Sequence, residues 1–339
     1  MKTRKVFFVL GCILSFLVVT AVGPYVEKAN AEVTELSLAT FVPPKHCINT
    51  TAQAWADEIA KRTGGRVKAK LFPAQALLSA EKMYEGVVSG AADLGITCFT
   101  YNVGLFPVMM VLDTAIGIPS AKVGTKVANA FYRKYQPKEL SDLKVIYLFT
   151  CSPVGIAFNR PVRTIAELKG KIIRGPGGQA PYLNAFGSKV VALPMSEALM
   201  SIRKNMVDGC TVSLDVLKPM KIGEAAKYVT MTEHSVTSFW FGMNLAKWNS
   251  LPATIQKVIN EVSEEWIDRA GSDWDKAAAE GAEYIKSEGG EIIQLSKEDK
   301  ALREKILSPV ANEYAENLIK KGFPGKEMVR DAIGMTKQY

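Results

Sequence analysis

The chain has 339 residues, of which 48% are hydrophobic and 22% charged. That is enough apolar material for about two ordinary domains, and it excludes a disordered or fibrous class. The formal charge is +8, of which +3 lies in residues 1–31, leaving about +5 mixed with acidic residues along the rest. No basic block of the kind that tracks nucleic acid is present.

The first segment is expected to be removed rather than folded. Lys2, Arg4 and Lys5 form a positive start, Val6 to Val22 is an almost unbroken apolar run, and Ala29-Asn30-Ala31 has the small-x-small pattern of a signal-peptidase site. Cleavage after Ala31 would leave a periplasmic chain. Two other readings stay open. One is an uncleaved membrane anchor. The other is a lipoprotein, since Val9-Leu10-Gly11-Cys12 loosely resembles a lipobox, although few apolar residues precede Cys12. No later stretch reaches the ~20 apolar residues of a membrane helix.

Beyond the leader, residues 35–40 read as a strand, with Leu36 and Leu38 alternating. The loop from Phe41 to His46 breaks it. Ala52, Trp55, Ala56, Ile59 and Ala60 then fall at helical spacing, with Asn49 or Thr50 as cap and Gly64-Gly65 as the stop. Residues 66–72 alternate again, a helix over about 80–89 ends at Gly90, and 91–96 reads as a buried strand. This pacing means βαβ units and a mainly parallel sheet. The second half repeats it: a strand at 144–149, another at Lys171-Ile172-Ile173-Arg174, the turn Gly175 to Gly178, helices near Ala180 and over 196–205, and strands near 207–210 and 238–244. Ile255, Val258, Ile259, Val262 and Trp266 mark one face of a long helix.

Two α/β lobes in an exported chain point to a cleft-type receptor, and ligands of open α/β sheets sit at the carboxyl ends of strands. Enzyme signatures are missing. There are two histidines, His46 and His234, with no HExxH pair, no G-x-S-x-G elbow, no P-loop and no GxGxxG after a strand. No catalytic residue, metal or cofactor is therefore expected. Arg174 is the sharpest candidate. It ends a strand before a Gly-rich turn and a helix start, and its guanidinium matches a carboxylate bidentately; a structural ion pair is the other reading. The other strand ends carry apolar and soft residues: Phe41 and His46, Cys98, Phe99 and Tyr101, Cys151 and Ser152, Val212 and Ser213, Phe239 and Trp240, with Met195 nearby. Each suits ordinary packing; together they suggest one cationic anchor with greasy or aromatic walls. The four cysteines beyond the leader, Cys47, Cys98, Cys151 and Cys210, show no CxxC spacing. Export permits disulfides, but a core of this size needs none, and free or partly paired thiols are expected.

Several segments carry a family resemblance. They are Ala56-Asp57-Glu58-Ile59 through Leu71-Phe72-Pro73, Gly90-Ala91-Ala92-Asp93, Ile165-Ala166-Glu167-Leu168-Lys169-Gly170-Lys171-Ile172-Ile173-Arg174-Gly175-Pro176, Val207-Asp208-Gly209, Trp248 to Pro252, and Gly322-Phe323-Pro324-Gly325. In this order they resemble the periplasmic solute-binding subunit of tripartite ATP-independent periplasmic (TRAP) transporters, of the dicarboxylate-binding-protein type. The resemblance implies a two-lobed periplasmic binding protein fold: two mainly parallel sheets flanked by helices, hinge strands between them, and long C-terminal helices. On it, residues 1–31 are a signal peptide, 32–152 and 243–283 form lobe I, and 153–242 and 284–339 form lobe II. It implies that Arg174 binds the carboxylate of a small organic acid and that the loaded protein, acting as a monomer, docks on membrane permease subunits. Presentation to a membrane sensor and a periplasmic enzyme are the alternatives. Many members carry Gln-Glu-Asn-Pro after Val-Asp-Gly, where this chain has Cys210-Thr211-Val212-Ser213, and the second arginine of sialic-acid binders is replaced near Val154. Fewer polar partners favour a monocarboxylate with an apolar or aromatic body over a sugar acid or short dicarboxylate.

Overall fold

The computed structural model describes residues 33–339; the segment read as a signal peptide lies outside them. Chain order in the first half is β1 (Thr34–Thr40), α1 (Cys47–Arg62), β2 (Val67–Phe72), α2 (Met83–Val88), β3 (Leu94–Cys98), α3 (Ala121–Tyr135) and β4 (Leu143–Thr150). The alternation that predicts β1 buries Leu36 and Leu38, while Trp55 and Ile59 of α1 fill the same core. The cap of α1 differs from expectation. His46 takes the position, its Nδ1 accepting from Ile48 N–H at 3.2 Å. Asn49 instead braces the preceding loop, with Nδ2 donating to the carbonyls of Val42 and Pro43.

The second half runs β5 (Gly155–Phe158), β6 (Ile172–Gly175), α4 (Ala180–Ala185), β7 (Lys189–Ala192), α5 (Met195–Arg203), β8 (Gly209–Val212), β9 (Tyr228–Met231) and β10 (Ser238–Asn244). Then come α6 (Leu245–Ser250), α7 (Ala253–Ser287), β11 (Glu291–Gln294), α8 (Lys297–Lys320) and α9 (Gly325–Gln338). Two sheets result, in the orders β2-β1-β3-β10-β4 and β11-β9-β5-β8-β6-β7. Each is mixed. The antiparallel strand is β10 in the first and β5 in the second, the strand that enters each sheet directly after the chain crosses from the other. The two crossings, 151–154 and 232–237, hydrogen-bond to each other: Cys151 N–H to Thr237 O at 2.9 Å, Val154 N–H to Ser235 O at 3.1 Å, and Glu233 N–H to Val154 O at 2.8 Å.

Two segments sit elsewhere than the lobe boundaries drawn from sequence. The sequence places residues 238–242 in lobe II, yet β10 pairs with β3 and β4 of the first sheet, because its residues Trp240, Phe241 and Met243 complete that sheet's core. It places 284–339 there too, but α9 packs on α3, with Met328 and Ala332 buried in the first core. Helix α7 touches both halves. Ile255 to Trp274 pack on the first core and Ile285 on the second. Gly281 is what lets it pass: a Cβ there would lie 1.9 Å from the carbonyl oxygen of Leu214.

Candidate ligand-binding site

Strand geometry places Arg174. In β6, Ile173 faces the cluster of Phe158, Leu168 and Leu183, so the next side chain points to the opposite face, between Val191 of β7 and Cys210 of β8. The guanidinium is 1% exposed. Nη2 donates to Leu193 O, Nη1 lies 3.9 Å from both Met195 Sδ and Cys210 Sγ, and Nε has no protein partner. Among the described residues no carboxylate lies within ion-pair distance of it, and its electrostatic neighbours are Cys210 and Tyr101. The structural ion pair considered from sequence is therefore not formed. A guanidinium stays charged, and a buried charge without a counter-ion is costly.

Arg174 opens onto a narrow cleft of about 50 Å³ between the two sheets. Ten of the thirteen side chains named from sequence meet there: Phe41, His46, Cys98, Tyr101, Cys151, Arg174, Met195, Val212, Ser213 and Phe239. Three do not. Phe99 turns into the first core against Phe106, ring centroids 5.0 Å apart. Trp240 follows Phe239 in β10 and must face the other side of the sheet, where it meets Tyr84. Ser152 leaves the cleft to donate to Asp275 Oδ1 of α7 at 2.9 Å.

The walls are mostly aromatic and soft. Phe239 stacks on Phe149 at 5.0 Å, and Trp274 tilts against both. Phe41 and Tyr101 meet edge to face at 5.6 Å. The four cysteines among the described residues are free, and burial pushes each thiol up, that of Cys98 to about 12. They are thus neutral sulfhydryls and not nucleophiles.

Sequence reasoning missed Gln179, Thr211, Thr237 and Trp274 on the same walls. Gln179 and Thr211 were within reach of the strand-end rule, since they follow β6 and sit in β8. Trp274 was not, because its helical spacing reads as core. Trp274 and Ile48 also border a small gap of about 10 Å³, with Cys47, Thr51, Tyr147 and Ala270.

Contacts join the two sheets across the cleft. Tyr101 Oη accepts from Met195 N–H at 3.1 Å. Gly178 lies so near the first half that a Cβ would sit 2.6 Å from Met110 Cε and 2.9 Å from Thr100 Cγ2. His46 Nε2 lies 3.0 Å from Asp215 Oδ2, with both side chains buried. His46, Cys47 and Asp215 are close enough to suggest a metal site. The ring argues against convergence: Cys47 Sγ lies 3.6 Å from Nδ1 while Asp215 faces Nε2.

A family model for bacterial extracellular solute-binding protein, family 7, matches residues 38–317. This chain belongs to that family. Among its relatives, the 2,3-diketo-L-gulonate-binding periplasmic protein YiaO of Escherichia coli is 27% identical over 259 residues, covering 71% of this chain and 75% of its own. A TRAP periplasmic solute-binding protein from Desulfovibrio salexigens superposes with a TM-score of 0.80 at 31% identity, covering 90% of this chain and 96% of its own. A marine-metagenome TRAP solute-binding protein, described as specific for aromatic acids and solved with 3-hydroxybenzoate, gives a TM-score of 0.87 at 22% identity, covering 91% and 99%. The family is the solute-receiving subunit of TRAP transporters, a periplasmic receptor for organic acids that works with a membrane permease. Among the described residues no helix is long and apolar enough to cross a membrane.

Proposed function

We propose that this TRAP solute-binding protein captures a monocarboxylate with an apolar or aromatic body, holds its carboxylate on Arg174, and delivers it to the permease. The observation that carries this reading is the buried Arg174 guanidinium, with Nε unpartnered and no carboxylate beside it. Thr211 Oγ1 is a second unpartnered, buried group that can donate to the same carboxylate. The remaining walls, Phe41, Tyr101, Phe239, Trp274 and neutral thiols, suit an apolar body. The aromatic acid bound by the marine-metagenome protein agrees with it.

The lobes in this reading are the two sheets. The crossings 151–154 and 232–237 act as the hinge, and ligand favours the closed arrangement by touching both sides. The test is calorimetric titration of refolded, solute-free protein against aromatic and branched monocarboxylates, sugar acids and short dicarboxylates. Truncating one partner of a buried charge pair costs roughly 2–5 kcal/mol, or at least about 30-fold in affinity. Arg174→Ala is expected to show that loss. Unchanged affinity would overturn the anchor role, and binding confined to sugar acids or dicarboxylates would overturn the ligand class.

A further inference from the structure

Two kinds of unpartnered polar atom belong to residues that line the cleft, and they ask for different things of a ligand. Arg174 Nε–H and the Thr211 hydroxyl can donate, which is what a carboxylate needs. The hydroxyl stands by the end of β6, since a Cβ on Gly175 would lie 3.4 Å from Thr211 Oγ1. Gln179 differs. Its side chain is 1% exposed and lines the cleft, Nε2 donates to Thr237 Oγ1 at 3.2 Å, and Oε1 has no partner. Thr237 is itself held, its N–H 3.1 Å from Cys151 Sγ and its carbonyl accepting from Cys151 N–H at 2.9 Å. Those bonds fix the Thr237 backbone, and with Nε2 on the Thr237 hydroxyl the free atom of the amide is its oxygen. An amide oxygen can only accept, and a carboxylate has no proton to give it.

We infer that Gln179 is a specificity-determining residue that accepts a hydrogen bond from a hydroxyl or N–H on the body of the ligand. This rests on the monocarboxylate reading above and narrows it to acids carrying one neutral donor away from the carboxylate. An acid without the donor leaves the buried oxygen unpaired, and sites built to bond a ligand hydroxyl discriminate strongly against analogues that lack it.

The test uses the chain from Glu32 onward, refolded free of solute, and titrates matched acids by calorimetry: benzoate, 3-hydroxybenzoate and 3-methoxybenzoate; phenylacetate and mandelate; 4-methylpentanoate and its 2-hydroxy derivative. The hydroxylated member of at least one set is expected to bind ten or more times as tightly as its parent. Gln179→Leu is expected to shrink that preference below threefold, with a cooperative melt of the solute-free variant reporting an intact fold. If Gln179→Leu fails to fold, Gln179→Met and the wild-type comparison carry the same test. Parent acids binding as well as their hydroxylated partners in every set would overturn the inference and leave the monocarboxylate reading standing. A preference that survives in either variant would do the same. So would 3-methoxybenzoate binding tighter than 3-hydroxybenzoate, since that places the N–H₂ in the cleft. Binding of none of these acids would overturn both.

Discussion

His46 Nε2 lies 3.0 Å from Asp215 Oδ2, and the two residues come from opposite sides of the cleft: His46 follows β1 of the first sheet and Asp215 follows β8 of the second. Nδ1 of the same ring accepts from Ile48 N–H, so in the neutral ring the proton belongs on Nε2, facing the carboxylate. One side chain thus caps a helix and approaches a carboxylate of the other half, at an angle that is not that of a hydrogen bond.

These two jobs are separable. Asparagine is a good N-cap but is too short to reach Asp215. His46→Asn is expected to hold the melting temperature of the solute-free protein within a few degrees while weakening ligand binding about tenfold. Calorimetry beside thermal melts would show it; equal affinity would mean that the pair does not contribute to closure.

Gly178 offers a test of closure that leaves the anchor untouched. Gly178→Val would press against Thr100 and Met110 only where the halves meet. Ligand affinity is expected to fall at least tenfold with little change in solute-free melting. A wild-type affinity would show that the ligand-bound cleft does not bring Gly178 against Thr100 and Met110.

Asp113 predicts one side of the pH profile. Burial lifts its carboxyl from 3.8 to about 8, although the backbone and hydroxyl of Ser238 pull the other way. Between these values the folded chain holds a proton that the unfolded chain has released, so stability falls as pH rises from about 4 to 8 and then levels. Asp113→Asn mimics the protonated form. It should melt with wild type near pH 4 and several degrees above it at pH 8.

His234 predicts the other side. Burial, with Arg303 nearby, holds its ring down at about 3 from 6.5. The unfolded chain then binds the extra proton, so stability is lost as pH falls through the window from 6.5 to about 3. His234→Gln should flatten the acid limb of a melting-temperature profile; an unchanged limb would place the sensitivity elsewhere.

Much of this site was legible because strand geometry forces it. Arg174 stands at a strand end before a Gly-rich turn, and the strand-end rule also brings Phe41, Cys98, Cys151 and Ser213 to the cleft. The same rule over-reached at Trp240, where a period of two sends neighbours to opposite faces and only Phe239 can line the cleft. Ser152 was lost to a long-range partner, Asp275, that nothing nearby in sequence announces. Trp274 and the packing of α9 on the first core arise from a chain that crosses between the halves more than twice. Helical spacing reports that a residue is buried, and is silent about which core or cavity receives it.

Trp274 lines both the cleft and the small gap bordered by Cys47, Thr51, Tyr147 and Ala270, and Ile48 lines both with it. This stretch of wall is made of side chains and not of backbone. A smaller residue in place of Trp274 would enlarge the cleft there without moving a strand. The range of acids accepted by such a protein could then drift, from one descendant to the next, by exchanging wall side chains while the arginine stays where it is.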